Sequence, residues 1–319
     1  MHIMEKILIH IPVFTLFFAT TCDWIYLIKK FNRFGDVSRK GVVFASPCMT
    51  GLMIICWIRY KHFPLSNLYE SFTFPSWSFS PSYIILGLKN RNGWSAATTG
   101  PCASSTHEFA ILGLSGGVLQ LDTPLVPALQ SYWSAMHVST TLLSYAALSC
   151  GSPLAISLPT VCFIGSETSP IIVANHVLTS WIRCKKKNKE SAGDKNVVEK
   201  SSYHLSLNLH RNELLTKLDR WSHRIIGVGL SLLTVGILSG SVWANEAWGS
   251  YRSRDPKETR SLVTRLVYAI YLHTRISNNW QGEAPAAVAS MGFLSVWTRL
   301  SGVNLLGIGL HNHGWLTLQ

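Results

Sequence analysis

Two stretches without a charged side chain limit how this chain can fold: 21 residues between Arg224 and Glu246, and 44 between Asp122 and Glu167. A helix needs about 20 mostly apolar residues to cross the hydrocarbon core of a bilayer. The first stretch fits one crossing, and the second fits a crossing plus a surface-lying segment. Charged residues make up only 14% of the 319-residue chain, against roughly a quarter in soluble domains. The chain therefore reads as a polytopic, all-α integral membrane bundle of about seven transmembrane helices. The spans are expected near 7–28, 41–60, 69–88, 133–163, 225–243, 260–275 and 286–307.

The net charge of +12 could suggest a nucleic-acid partner, but the basic residues cluster beside apolar runs, at Lys29–Lys40 and Arg183–Lys200. Basic flanks of spans are the commoner origin of such clusters, and no nucleic acid is expected. The first apolar stretch lacks a small-residue cleavage site and reads as a retained span. Seven scattered cysteines without a CxxC pair argue against a thioredoxin-like carrier and a zinc site. The segment 185–200 is polar and reads as a linker on the non-translocated side. With seven spans, alternation then puts 243–259 and the C-terminal tail together on the opposite side, with His137 near that face. It also puts Lys29–Lys40 on the translocated side, against the positive-inside rule. The organisation is 1–124, N-terminal spans and loops; 125–183, a span carrying His137; 184–222, a basic linker; and 223–319, spans flanking a tryptophan-rich segment.

That segment, WANEAWGSYRSRDPKET at 243–259, follows an apolar run directly. Tryptophans at a membrane surface are usually an interfacial belt. Here they alternate with Gly, Asp, Pro and Glu in a turn-prone sequence, which looks like a shaped surface. It resembles the WWD-domain proteins that handle haem in cytochrome c assembly in chloroplasts. Further blocks carry the resemblance over most of the chain: HFPLSNLYESF at 62–72, LVPALQS at 125–131, MHVS at 136–139, YAAL at 145–148, GILSG at 236–240, AIYLHTR at 269–275 and GVNLLGIGLH at 302–311.

The resemblance implies haem b as bound substrate, held on a lumenal tryptophan-rich loop in the thylakoid membrane of a plastid. It assigns Trp243, Trp248, Gly249, Tyr251, Arg252, Arg254, Asp255 and Glu258 to the haem surface. His137 and His311 become iron ligands flanking it, and His273 a ligand near the other membrane face. The implied partners are a second membrane subunit supplying a further haem ligand, an apocytochrome c or f carrying CxxCH, a thiol-reducing pathway and membrane lipid. The chemistry agrees: indole rings cover an apolar disc by area burial, and imidazole is the usual axial donor. The implied activity is haem presentation for covalent attachment, as part of a cytochrome c synthase (haem lyase) complex. A haem transporter without attachment activity and an electron-carrying bis-histidine membrane cytochrome are the alternatives.

The sequence departs from the pattern at Arg252, Arg254, Arg260 and Arg265, where the family has tryptophan. An arginine in mid-span costs roughly 2.5 kcal/mol or more on insertion scales. Pro47, Pro153 and Pro159 fall within spans, and His223 stands for a family tyrosine. Each departure is one C-to-T change from the expected codon, as CGG is from TGG. The sequence therefore reads as the translation of a transcript that is edited from C to U. Genuine arginines pairing with haem propionates, or a decaying gene, are the competing readings.

Overall fold

The computed structural model describes residues 2–29, 31–60, 68–89, 93–115, 131–166, 195–251, 256–277 and 283–302. Among them are eight α-helices: α1 (His2–Lys29), α2 (Asn32–Tyr60), α3 (Leu68–Lys89), α4 (Gly93–Ser115), α5 (Tyr132–Ser166), α6 (Lys195–Trp248), α7 (Pro256–Ser277) and α8 (Glu283–Trp297). A short π-helical turn, Thr298–Gly302, closes α8. The protein is a helical membrane bundle. Four helices are long and apolar enough to cross a bilayer, within Leu8–Lys29, Arg33–Ile58, Tyr132–Val161 and Asn212–Trp248. Each of the seven expected spans coincides with a helix, although 303–307 of the last lie outside the described residues.

The bundle's outer surface is apolar, as a lipid solvent requires. Phe14, Phe17 and Phe18 on α1, Phe44 and Ile54 on α2, and Val228, Val235 and Leu238 on α6 are all exposed. The interior is comparatively polar, with Ser and Thr hydroxyls capping backbone carbonyls. Ser76 donates to the Ala103 carbonyl at 3.0 Å and Ser144 to that of Gly229 at 2.8 Å. Such bonds and close helix packing stand in for the hydrophobic drive that is absent between helices in lipid. Helix α5 is the hub: 78% of its apolar window is buried, against 28 to 33% in the other three. Cys22, Cys56, Cys102 and Cys150 are buried among the core side chains, none of them in a disulfide.

Helix α4 has no counterpart among the expected spans. Its Gly93–Ser115 sequence is rich in Ala, Ser, Thr and Gly, and its small side chains let it nest against α1 and α3. A methyl group at Gly100 would stand 2.8 Å from Thr20 Cγ2. This extra helix corrects the topology. Ser38 bonds to Tyr83 at 2.8 Å, and Leu86, one turn further along α3, packs with Leu154, Leu158 and Leu218. The Lys29–Lys40 segment therefore lies at the same end of the bundle as the start of α6, not at the opposite end. One missed helix reverses the parity of everything before it. With it included, the basic Lys29–Lys40 segment lies at the end where α6 enters the bundle, an arrangement compatible with the positive-inside rule.

Helix α6 also extends further than expected. It runs 54 residues from Lys195, about 80 Å at 1.5 Å per residue. The later part of the segment read as a linker, 195–222, is thus a continuation of the helix.

Candidate functional site

The site is built on an antiparallel seam between α5 and α6. Its contacts pair Gly151 with Ile226, Leu148 with Gly229, Thr141 with Gly236 and His137 with Gly240. Ser131 Oγ donates to Glu246 Oε2 at 2.8 Å at the top of the seam. Each step down α5 is matched by an equal step up α6. Gly229, Gly236 and Gly240 are spaced by seven and four, so they share one face of α6. A methyl group at any of the three would sit 2.5–2.8 Å from an atom of α5. Small residues at such spacing let helix backbones approach closely.

His137 occupies the upper part of this seam, half-buried. Its Nδ1 is 2.6 Å from the Gly236 carbonyl oxygen. A carbonyl only accepts, so Nδ1 carries the proton and donates, and the neutral ring's lone pair is on Nε2. The imidazole lies nearly parallel to the Trp243 indole, with centroids 6.2 Å apart and 18° between planes. Trp243 in turn meets Trp248 edge-to-face at 5.0 Å and 66°.

Trp243, one of the expected haem-surface residues, is only 5% exposed and backs the histidine. Trp248 and Tyr251 are open, at 43% and 66%. Tyr132, Trp133 and Met136, at the start of α5, are exposed at the same end, and the sequence reading did not assign them to the haem surface. Gly249 ends α6 at φ +70°, with its N–H bonded to the Asn245 carbonyl at 2.9 Å. This is a left-handed glycine cap, and it turns the chain where the tryptophan-rich segment leaves the helix. Glu258 is half-buried in the first turn of α7. Arg252, Arg254, Asp255 and His311 lie outside the described residues.

His273 is exposed on α7, with Nδ1 3.4 Å from Ser277 Oγ. Two residues on, Arg275 forms a bidentate pair with Asp219 of α6. Asp219 and Gly240 are separated along α6 by about 30 Å at 1.5 Å per residue. His137 and His273 are therefore at opposite ends of the bundle, a bilayer core apart. The structure brings together His137, Trp243, Trp248, Gly249 and Tyr251, and leaves His273 apart from them.

The glycine seam escaped the sequence reading, although GILSG at 236–240 was singled out as a matching block. The signal was present as Gly-x₃-Gly within an apolar run, a spacing that marks close helix packing.

Comparison with known proteins agrees with this architecture. Residues 65–311 match the family described as Cytochrome C assembly protein. The chain is 47% identical over 315 residues to Cytochrome c biogenesis protein CcsA of Pinus thunbergii, covering 98% of both chains. It is 44% identical over 321 residues to the CcsA protein of Marchantia polymorpha, again covering 98% of each. Among solved structures, Cytochrome c Heme Lyase CcmF superposes with a TM-score of 0.61 at 12% identity. That match covers 93% of this chain but 46% of the other, so it shows a shared fold over part of a longer protein.

Proposed function

The chain belongs to the Cytochrome C assembly protein family, and from that premise we propose that it binds haem b and presents it for covalent attachment to c-type apocytochromes. It acts as the haem-holding part of a membrane cytochrome c synthase. The observation that carries this reading is His137, held by Nδ1–H on the Gly236 carbonyl and laid along Trp243. An imidazole whose other nitrogen is tied to a carbonyl is the usual form of a metal-ligating histidine, because that bond fixes the tautomer and raises ligand basicity. The donor chemistry thus fits an axial ligand through Nε2.

Haem, as substrate, supplies an iron that takes imidazole and vinyl groups that receive thiols. The residues of this chain supply position. His137 fixes one side of the iron, and His311 is assigned the other. Trp248 and Tyr251 offer apolar faces at the surface, and burying such faces removes water from the ring. Arg252, Arg254, Asp255 and Glu258 belong to the sequence that follows and are assigned to the same haem surface. Attachment needs thiolates, so the apocytochrome's CxxCH arrives reduced from a thiol-reducing pathway. Holding the reactants in place, rather than acid–base chemistry, is this chain's contribution.

His273, at the other end, receives incoming haem with a histidine from a second membrane subunit. The basic Lys29–Lys40 segment, at the end opposite His137, supports assigning the His137 end to the thylakoid lumen of a plastid. We read Arg252, Arg254, Arg260 and Arg265 as unedited tryptophan codons. Arg260 and Arg265 are half-buried on α7, close in sequence to the exposed apolar stripe Val263, Leu266 and Ile270, where tryptophan suits a bilayer better than guanidinium does.

The test is co-expression with a c-type apocytochrome. The wild-type complex yields covalently attached haem, and His137→Ala yields none. Attachment at wild-type level in His137→Ala would overturn the proposal.

A further inference from the structure

Resting on the ligand reading of His137, we propose that Gly240, together with Gly236, is a positioning residue for that imidazole. The ring occupies the space that a side chain at Gly240 would fill. A methyl group there would stand 2.5 Å from Nδ1, 2.6 Å from Cε1 and 3.1 Å from Cγ of His137. These are well inside van der Waals contact, so the ring must move if a methyl group is added. It cannot move without cost, because its Nδ1 is engaged at 2.6 Å by the Gly236 carbonyl and its face lies along Trp243.

Gly236 brings that carbonyl within reach. A methyl group at Gly236 would strike Thr141 Oγ1 at 2.5 Å and the Thr141 backbone nitrogen at 3.3 Å, so α5 and α6 can come this close only at glycine. One glycine thus sets the distance between helices, and the next, one turn along, leaves room for the ring. The GILSG block is in this view a mould for one histidine, which fixes both its tautomer and its plane.

A purely structural role is separable, because the same seam holds a glycine without a histidine opposite. A methyl group at Gly229 would meet Leu148 Cδ2 and Cγ at 2.8 Å and the Leu148 backbone nitrogen at 3.2 Å. Gly229→Ala therefore disturbs the same helix pair by a similar clash, about three turns from the imidazole.

The experiment titrates the purified full chain in detergent with haemin and follows the Soret and spin-state bands. Gly240→Ala is expected to bind haemin roughly 10–100-fold more weakly than Gly229→Ala, the usual effect of disturbing a ligand's supporting bond. Its bands shift away from the wild-type positions, and added imidazole restores them. Gly229→Ala keeps wild-type bands. Equal loss in the two variants, or wild-type bands and affinity in Gly240→Ala, overturns the proposal. Thermal unfolding guards against simple misfolding: His137→Gly/Gly240→Ala, which removes the clashing ring, is expected to be more stable than Gly240→Ala alone. A double variant no more stable than the single one also overturns it. The parallel His137→Ala titration tells the two ideas apart. If it binds haemin as wild type does, the ligand reading fails with the positioning role. If it does not bind while Gly240→Ala behaves as wild type, only the positioning role fails.

Discussion

Arg275 grips Asp219 through two parallel hydrogen bonds, Nη1 to Oδ1 at 2.6 Å and Nη2 to Oδ2 at 2.8 Å, fastening α7 to α6. The two side chains are 9% and 20% exposed. Removing one member of a largely buried pair strands the other charge, which costs about 3 kcal/mol. Asp219→Asn is expected to lower stability by about that amount in denaturant unfolding of the detergent-solubilised protein. Asp219→Asn/Arg275→Gln should lose less, because no charge is stranded. A double variant as unstable as the single one would show that the pair is not the fastening.

Tyr268 and Ser152 exchange a buried bond of 2.7 Å between α7 and α5. The Ser152 hydroxyl also bonds to the Leu148 carbonyl at 2.9 Å. Tyr268→Phe leaves the serine with that second partner, whereas Ser152→Ala strips the fully buried phenol of this bond. Stranding a buried polar group costs about 1–3 kcal/mol. Melting curves should therefore place Ser152→Ala below Tyr268→Phe, and the reverse order would contradict this account.

Gly249, at φ +70°, adopts a backbone conformation that costs other residues about 1–2 kcal/mol. Asparagine tolerates that conformation better than β-branched residues do. Gly249→Asn should retain more haemin binding and slower proteolysis at the α6–α7 turn than Gly249→Val. Indistinguishable variants would mean that the turn does not need this conformation.

With His137 and His273 at opposite ends of the bundle, their haem-binding defects should be independent. In the complex, His273→Ala is expected to leave the His137-dependent absorption intact when haemin is supplied to the solubilised protein, and the converse should hold for His137→Ala. Loss of both signals in either variant would argue for one shared site.

Sequencing cDNA from the native transcript is expected to show tryptophan codons at 252, 254, 260 and 265. Arginine at all four would end the editing reading. It would leave Arg252 and Arg254 as candidates for propionate pairing.

The neighbourhood of the candidate residues was partly legible in the chain itself. The resemblance blocks picked out His137, and the seam confirms that it sits where α5 begins, beside the tryptophan-rich end of α6. That Trp243 lies in this neighbourhood was legible, but not that it is buried against His137. Composition cannot tell an indole that faces a ligand from one that backs a histidine, because that depends on which helix lies opposite.

By itself the sequence determined that the protein is an all-helical membrane bundle, and where seven of its eight described helices would form, though not the full length of α6. A charge-free apolar run reports the cost of moving that segment into lipid, and this cost is summed residue by residue along one helix. Only the tertiary structure decided that Gly93–Ser115 is a helix of the bundle, that the Lys29–Lys40 segment lies at the end where α6 enters the bundle, and that Gly236 and Gly240 lie directly against His137. Helix α4 gains its place from contacts between small side chains and neighbouring helices, and a glycine's value lies in the atom that takes its missing side chain's room. Both are properties of pairs of helices, and a single run of residues carries only its own half.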